Sequence, residues 1–155
     1  MKKLLIFGIV FGLLTGCGSS SDDTKKEDKK EEEKDTSVHF VGVGDNLIHE
    51  TIYQDADRLE GSEGDGKYNF QSMYKNVKDD IQKGDISFIN QETIVGGQEL
   101  GLSGYPVFNS PTEVVNDLHE TGFNLFNLAT NHSLDKGSDG VVNALKAFGA
   151  YDDIT

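Results

Sequence analysis

Phe123-Asn124-Leu125-Phe126-Asn127-Leu128-Ala129-Thr130-Asn131-His132 sets the architecture: an apolar run of strand length that empties into Thr, Asn and His. A buried strand reads this way where it feeds a polar loop. The same transition occurs twice upstream. Val38-His39-Phe40-Val41-Gly42-Val43 stops at Gly44-Asp45, and Asp85-Ile86-Ser87-Phe88-Ile89 stops at Asn90-Gln91-Glu92. Between the first two runs, Phe70, Met73, Val77 and Ile81 recur at spacings of three or four before Gly84. That spacing predicts a helix over about 69–83 with this stripe in the core. Gly96 to Gly104 reads as a loop. Ser110-Pro111-Thr112-Glu113 places an N-cap Ser, a Pro at the first helical position and a Glu at the third, predicting a helix through about Glu120 that Gly122 closes. A last helix is expected from about Ser138 to Phe148.

Strands alternating with helices pair in parallel through right-handed crossovers, so all three strand C-termini line one edge of an α/β sheet. Ligands of open α/β sheets bind at that edge. Asp45, Asn90 or Glu92, and Asn131-His132 each fall just past a strand, which gathers three distant polar clusters. Oxygen donors from Asp45, Glu92 and Asn131 beside an imidazole suit a hard or borderline divalent cation. Each cluster alone also has a plainer reading, because Asp, Asn and Gly belong in βα turns. His39 and His119 read as structural or solvated. His49 shares the edge only if the chain turns helical after Asn46.

Composition narrows the partners. The 155 residues carry 14 Lys+Arg against 27 Asp+Glu, a formal charge of −13 and a pI near 4.5. Nucleic-acid binding needs a cationic surface, so it is not expected. The single Cys excludes an internal disulfide and a Cys-based zinc cage.

That Cys lies in a recognisable address. Lys2 and Lys3 precede the apolar run Leu4 to Leu14, which meets Thr15-Gly16-Cys17. The run is well short of the ~20 residues a transmembrane helix needs, and it has the form of a secretory signal. Leu14-Thr15-Gly16-Cys17 resembles the bacterial lipobox, which implies cleavage before Cys17 and its modification with lipid. Residues 1–17 are thus expected to be a lipoprotein signal peptide and Cys17 the attachment point on the extracytoplasmic face of the cell membrane. Several acyl chains hold a protein stably, whereas one does not. Residues 18–37, GSSSDDTKKEDKKEEEKDTS, contain no aliphatic or aromatic side chain and read as a disordered charged linker. The domain is expected over 38–155.

Val43-Gly44-Asp45, Asn90-Gln91-Glu92, Phe108-Asn109-Ser110-Pro111 and above all Leu128-Ala129-Thr130-Asn131-His132-Ser133-Leu134-Asp135-Lys136-Gly137 resemble the CapA family of capsule and poly-γ-glutamate synthesis proteins. The likeness runs from Val38 to Phe148. It implies a calcineurin-like metallophosphoesterase fold and a membrane-attached role with the polymer synthase or export complex and its anionic polymer. It also implies a divalent metal (Mn, Mg, Zn or Fe) on Asp45, Glu92 and Asn131, with His132 at the leaving group and Asp135 orienting that imidazole.

The chain departs from general phosphoesterases at Leu47, where they carry His, and at Ser133, where they carry an acidic residue. The family also continues into further strands with later His motifs. Expected here is therefore a partial metallophosphoesterase-like α/β fold of parallel strands and crossover helices, its C-terminal half missing, with one edge and one flank of the sheet uncovered. Three functional readings follow: a CapA-type lipoprotein in capsule or poly-γ-glutamate synthesis or export, a metal-dependent phosphoesterase, and a nonfunctional truncated remnant.

Overall fold

The computed structural model describes residues 36–155. The expected signal peptide, Cys17 and the expected linker as far as residue 35 lie outside the described residues. In chain order the elements are β1 (Phe40–Asn46), α1 (Glu50–Leu59), α2 (Gln71–Tyr74), α3 (Lys78–Ile81), β2 (Ile86–Gln91), a 3-10 turn (Gln98–Leu100), α4 (Glu113–Thr121), β3 (Leu125–Asn127) and α5 (Gly137–Phe148). The three strands form one parallel sheet in the order β1-β2-β3. All three strand C-termini therefore share an edge, as the alternation of elements requires.

Register explains how polar residues divide between the two faces. Phe40 lies opposite Ile86, Gly42 opposite Phe88, and Phe88 opposite Leu125. Three residues further along β1, but only two along β2, Asp45 lies opposite Asn90, which in turn faces Asn127. The extra residue is a β-bulge in Gly42–Asp45, and a bulge reverses side-chain parity. Asp45 is thereby exposed, while Asn46 is buried opposite the buried Gln91.

The core forms on the face bearing Ser87, Ile89 and Gln91, all buried. Ile89 joins Ile48, Phe70, Val114, Leu118 and Phe123 there, with Phe148 from α5 in the same cluster. The other face stays open: Phe40 is 56% exposed, Ile86 is 38% exposed, and the Phe40 and Phe88 rings stack at 6.4 Å. An uncovered flank was expected, but β1, expected to be a buried strand, is instead largely exposed. As the outermost strand, β1 has a neighbour on one side only.

Two local expectations are corrected. The helix foreseen over 69–83 is two single turns, α2 and α3. Phe70, Tyr74 and Ile81 are buried, whereas Met73 and Val77 are 45% and 44% exposed. The chain bends at 75–77 to bring Tyr74 inward, where its hydroxyl donates to Asn46 Oδ1 at 3.0 Å. Ser110 does not cap α4, which begins at Glu113 after Thr112. Its hydroxyl is fully buried and bonds Thr93 Oγ1 at 2.9 Å instead. Gly122 ends the helix as expected, in the left-handed region at φ 114° that suits Gly.

Candidate functional site

At the carboxyl edge, a side-chain ladder crosses the sheet. Asn90 Nδ2 donates to Asp45 Oδ1 at 2.6 Å, and Asn127 Nδ2 donates to Asn90 Oδ1 at 2.6 Å. Asn127 Oδ1 accepts from the Ala129 N–H at 3.2 Å and so fixes the exit of β3. The bulge makes this ladder possible by turning Asp45 to the side of the two amides.

Beneath it runs a second, buried polar chain. Tyr74 bonds Asn46, Asn46 Nδ2 donates to Gln91 Oε1 at 2.6 Å, and Gln91 Nε2 donates to the Thr93 carbonyl at 2.7 Å. Thr93 reaches Ser110 and accepts from the Ile48 N–H at 3.3 Å. Along the sequence these residues interleave with Asp45, Asn90 and Glu92. One set is satisfied inside, which a buried polar group requires, and the other is left at the rim. Burial pushes the Tyr74 phenol well above its ordinary range, with the Asn46 bond opposing and the Asp117 charge adding.

The loop after β3 supplies the imidazole. Thr130 Oγ1 accepts from the His132 N–H at 3.1 Å and donates to the Glu92 carbonyl at 2.8 Å, tying the loops after β2 and β3 together. Ser133 Oγ donates to the Leu128 carbonyl at 2.7 Å and accepts from the Thr130 N–H at 2.8 Å. Ser133 therefore shapes the turn. His132 Nδ1 lies 2.8 Å from Asp135 Oδ2, and the same oxygen accepts the Phe108 N–H at 2.7 Å. A carboxylate only accepts, so Nδ1 carries the proton and Nε2 presents its lone pair. Nε2 faces Glu92 Oε1 across 4.0 Å. An imidazole oriented this way is placed to transfer a proton at Nε2.

Phe108, 2% exposed, is the hub of this corner. His132 meets its ring at 4.6 Å and 84°, His49 at 4.9 Å and 78°, and Tyr105 at 6.4 Å and 70°. His49 sits at the N-cap of α1, so the chain does turn helical just beyond it. Of the residues expected at the edge, Glu92, His132 and Asp135 share this corner, and Asp45 stands in the ladder with Asn90. The Asn131 side chain is exposed and takes no part in the hydrogen bonding of either group. His39 bonds the Lys83 carbonyl and His119 pairs with Asp153, both away from the rim. Sequence reading did not single out Phe108, Thr130 or Asn127 as site residues, although Phe108 and Thr130 lie within the segments that carry the family resemblance.

The family resemblance implies a metal among these donors. Among the described residues, no three His, Cys, Asp or Glu side chains converge to hold an ion. Asp45 Oδ1 is committed to Asn90, and the nearest carboxylate to His132 is shared with a backbone N–H. The residues present do not compose a closed cation cage.

A family profile described as bacterial capsule synthesis protein PGA_cap matches residues 39–152, well over half of the chain. The chain belongs to this bacterial capsule synthesis protein family. The match bears out the CapA resemblance and spans β1 through α5, so the ladder, the buried polar chain and the His132 corner all lie inside the capsule-synthesis domain. No curated protein matches the chain.

Proposed function

We propose that this capsule synthesis protein is a lipoprotein, attached to the extracytoplasmic face of the cell membrane through Cys17, that serves in making or exporting poly-γ-glutamate capsule. The observation that carries the reading is the family match over 39–152. The lipobox-like Leu14-Thr15-Gly16-Cys17 followed by a charged tether supports the attachment. Its partners are the synthase or export complex and the polymer. Because a polyanion is repelled by a chain of charge −13, the polymer is handled chiefly by the complex. The test is replacement of the native gene by Cys17→Ala in the encapsulated bacterium. The reading expects the protein to leave the membrane fraction and the capsule to thin; unchanged fractionation and capsule contradict it.

A second reading, hydrolysis of a phosphoester, is favoured by one observation: the Asp135-oriented imidazole facing Glu92. Any divalent ion taken up by Asp45, Glu92 and Asn131 is held weakly in this reading. Assay of the full chain on a simple phosphomonoester, with and without Mn²⁺, decides it. Turnover lost in His132→Ala supports the reading, and absence of turnover in both conditions removes it.

A further inference from the structure

After α5 the chain returns to the outer edge of β3. The Phe126 N–H donates to the Thr155 carbonyl at 2.8 Å, and the Thr155 N–H donates to the Asn124 carbonyl at 2.9 Å. Thr155 therefore lies against Leu125 as a residue of a parallel strand would. The other side of β3 pairs with β2, so segment 149–155 covers the edge that the sheet leaves open. Tyr151 and Ile154 add partly buried contact with the core, and the Tyr151 hydroxyl donates to Asn116 Oδ1 at 3.3 Å. Asp153 and Thr155 also wall a cavity of about 270 Å³ that Ile86, Asn124 and Leu125 complete.

One imidazole fastens this segment to α4. His119 Nε2 lies 3.0 Å from both carboxylate oxygens of Asp153, and the His119 ring lies against the Tyr151 ring at 4.5 Å. A carboxylate only accepts, so Nε2 carries a proton whether the ring is neutral or charged, and the hydrogen bond survives titration. What changes is the charge. Asp153 and Tyr151 face the imidazole from the segment, and Glu120 and Asp117 lie nearby on α4, where their charges join burial in pushing the Tyr151 phenol up. No Lys or Arg pairs with Asp152 or Asp153 among the described residues. A charged His119 thus offsets a junction that is otherwise acidic on both sides. Its hydrogen bond, and to a smaller degree its charge, holds the Asp153 carboxyl below the ordinary range, so the carboxylate stays ionised where an imidazole titrates.

From the His119–Asp153 pair and the Thr155 pairing beside it, we infer that segment 149–155 is a proton-controlled cover of the β3 edge, held more firmly when His119 is charged. The added hold is present below the titration of the imidazole and is lost as pH rises through it. Opening frees the Phe126 N–H and the Asn124 carbonyl, a strand edge ready to pair with another extended segment. The His119 and Asp153 side chains are 30% and 72% exposed, and exposed ion pairs are weak, so the control is graded: about two- to fivefold in the opening equilibrium. The inference stands apart from the capsule reading and from the His132 corner.

The test is amide hydrogen exchange of the detergent-solubilised full chain, followed by NMR at about pH 5.5 and about pH 8 on either side of the imidazole titration, each rate corrected for the intrinsic effect of pH. Protection of the Phe126 and Thr155 amides should be about two- to fivefold higher at the lower pH, with a smaller change at Ile89 in the buried middle of the sheet. His119→Phe keeps a ring against Tyr151, and Asp153→Asn keeps an acceptor for His119; each should abolish the difference between the two pH values. Equal protection at both pH values in the native chain, a difference retained by either variant, or a difference of the same size at Ile89 would overturn the inference.

Discussion

Asn90 donates to Asp45 across 2.6 Å, although regular pairing from Gly42 onward would set Gly44 opposite Asn90 and turn Asp45 inward. The bulge inverts that outcome. It presents a carboxylate to the outer ladder and delivers Asn46 to the buried chain under it.

Asn46→Ala tests what the bulge delivers to the interior. It should leave Gln91 Oε1 and the Tyr74 hydroxyl without partners, and each orphaned buried group costs about 1–3 kcal/mol. Thermal unfolding should show a loss of several degrees. Gly44→Ala, where an added Cβ meets nothing within 4 Å, should unfold close to the native chain. Equal stability of Asn46→Ala would refute the role given to the buried chain.

Ser110→Ala should destabilise by about 1 kcal/mol through the lost bond to Thr93, since both hydroxyls are buried. Thr93→Val and the double variant complete a cycle in urea, and the two losses should not add. Full additivity would return Ser110 to the helix-cap role that its sequence suggests.

Asp117, 4% exposed, accepts the Phe70 N–H at 2.5 Å, yet burial holds its carboxyl above the ordinary range against that bond. A carboxyl raised on folding favours the folded state while protonated. Its contribution is whole below the unfolded value near ~3.9 and is lost as pH rises through the folded one. Asp117→Asn keeps an acceptor for Phe70, so at pH 7 it should be more stable than the native chain, with the gap closing toward pH ~4. Asp117→Ala orphans the N–H and should cost about 1–3 kcal/mol. An Asn variant that is less stable at every pH would contradict this.

Titrating the full chain with Mn²⁺ by calorimetry should give weak binding, in line with a rim on which no three ionisable donors converge among the described residues. Tight stoichiometric uptake would mean that copies of the chain complete a cation site between them.

The legibility of the sequence followed the size of its signals. Strand runs such as Asp85–Ile89 and Phe123–Ala129 are long and apolar, so the parallel sheet and its polar edge could be read directly. Asp135 could be placed beside His132 because the intervening turn is short. The bulge could not, because it lies among Gly42, Val43 and Gly44, whose side chains announce no register. Asn46, Gln91 and Thr93 look no different in sequence from Asp45, Asn90 and Glu92; only the pleat and the bulge sort them into buried and exposed. Over 69–83, spacing favoured Met73 and Val77, but a hydrogen-bond partner for Tyr74 decided which side chain turned inward. Ser110-Pro111-Thr112-Glu113 carries a genuine cap pattern, overridden because the Thr93 hydroxyl offers Ser110 a buried partner.

A part for the His132 corner in the proposed capsule role is examined most directly by measuring surface polymer in the bacterium when its own gene is replaced by His132→Ala, with the amount of membrane-bound protein checked in parallel. The proposed role predicts near-native protein and strongly reduced capsule, with Asp135→Asn intermediate. Capsule of native thickness in the His132→Ala strain would contradict it.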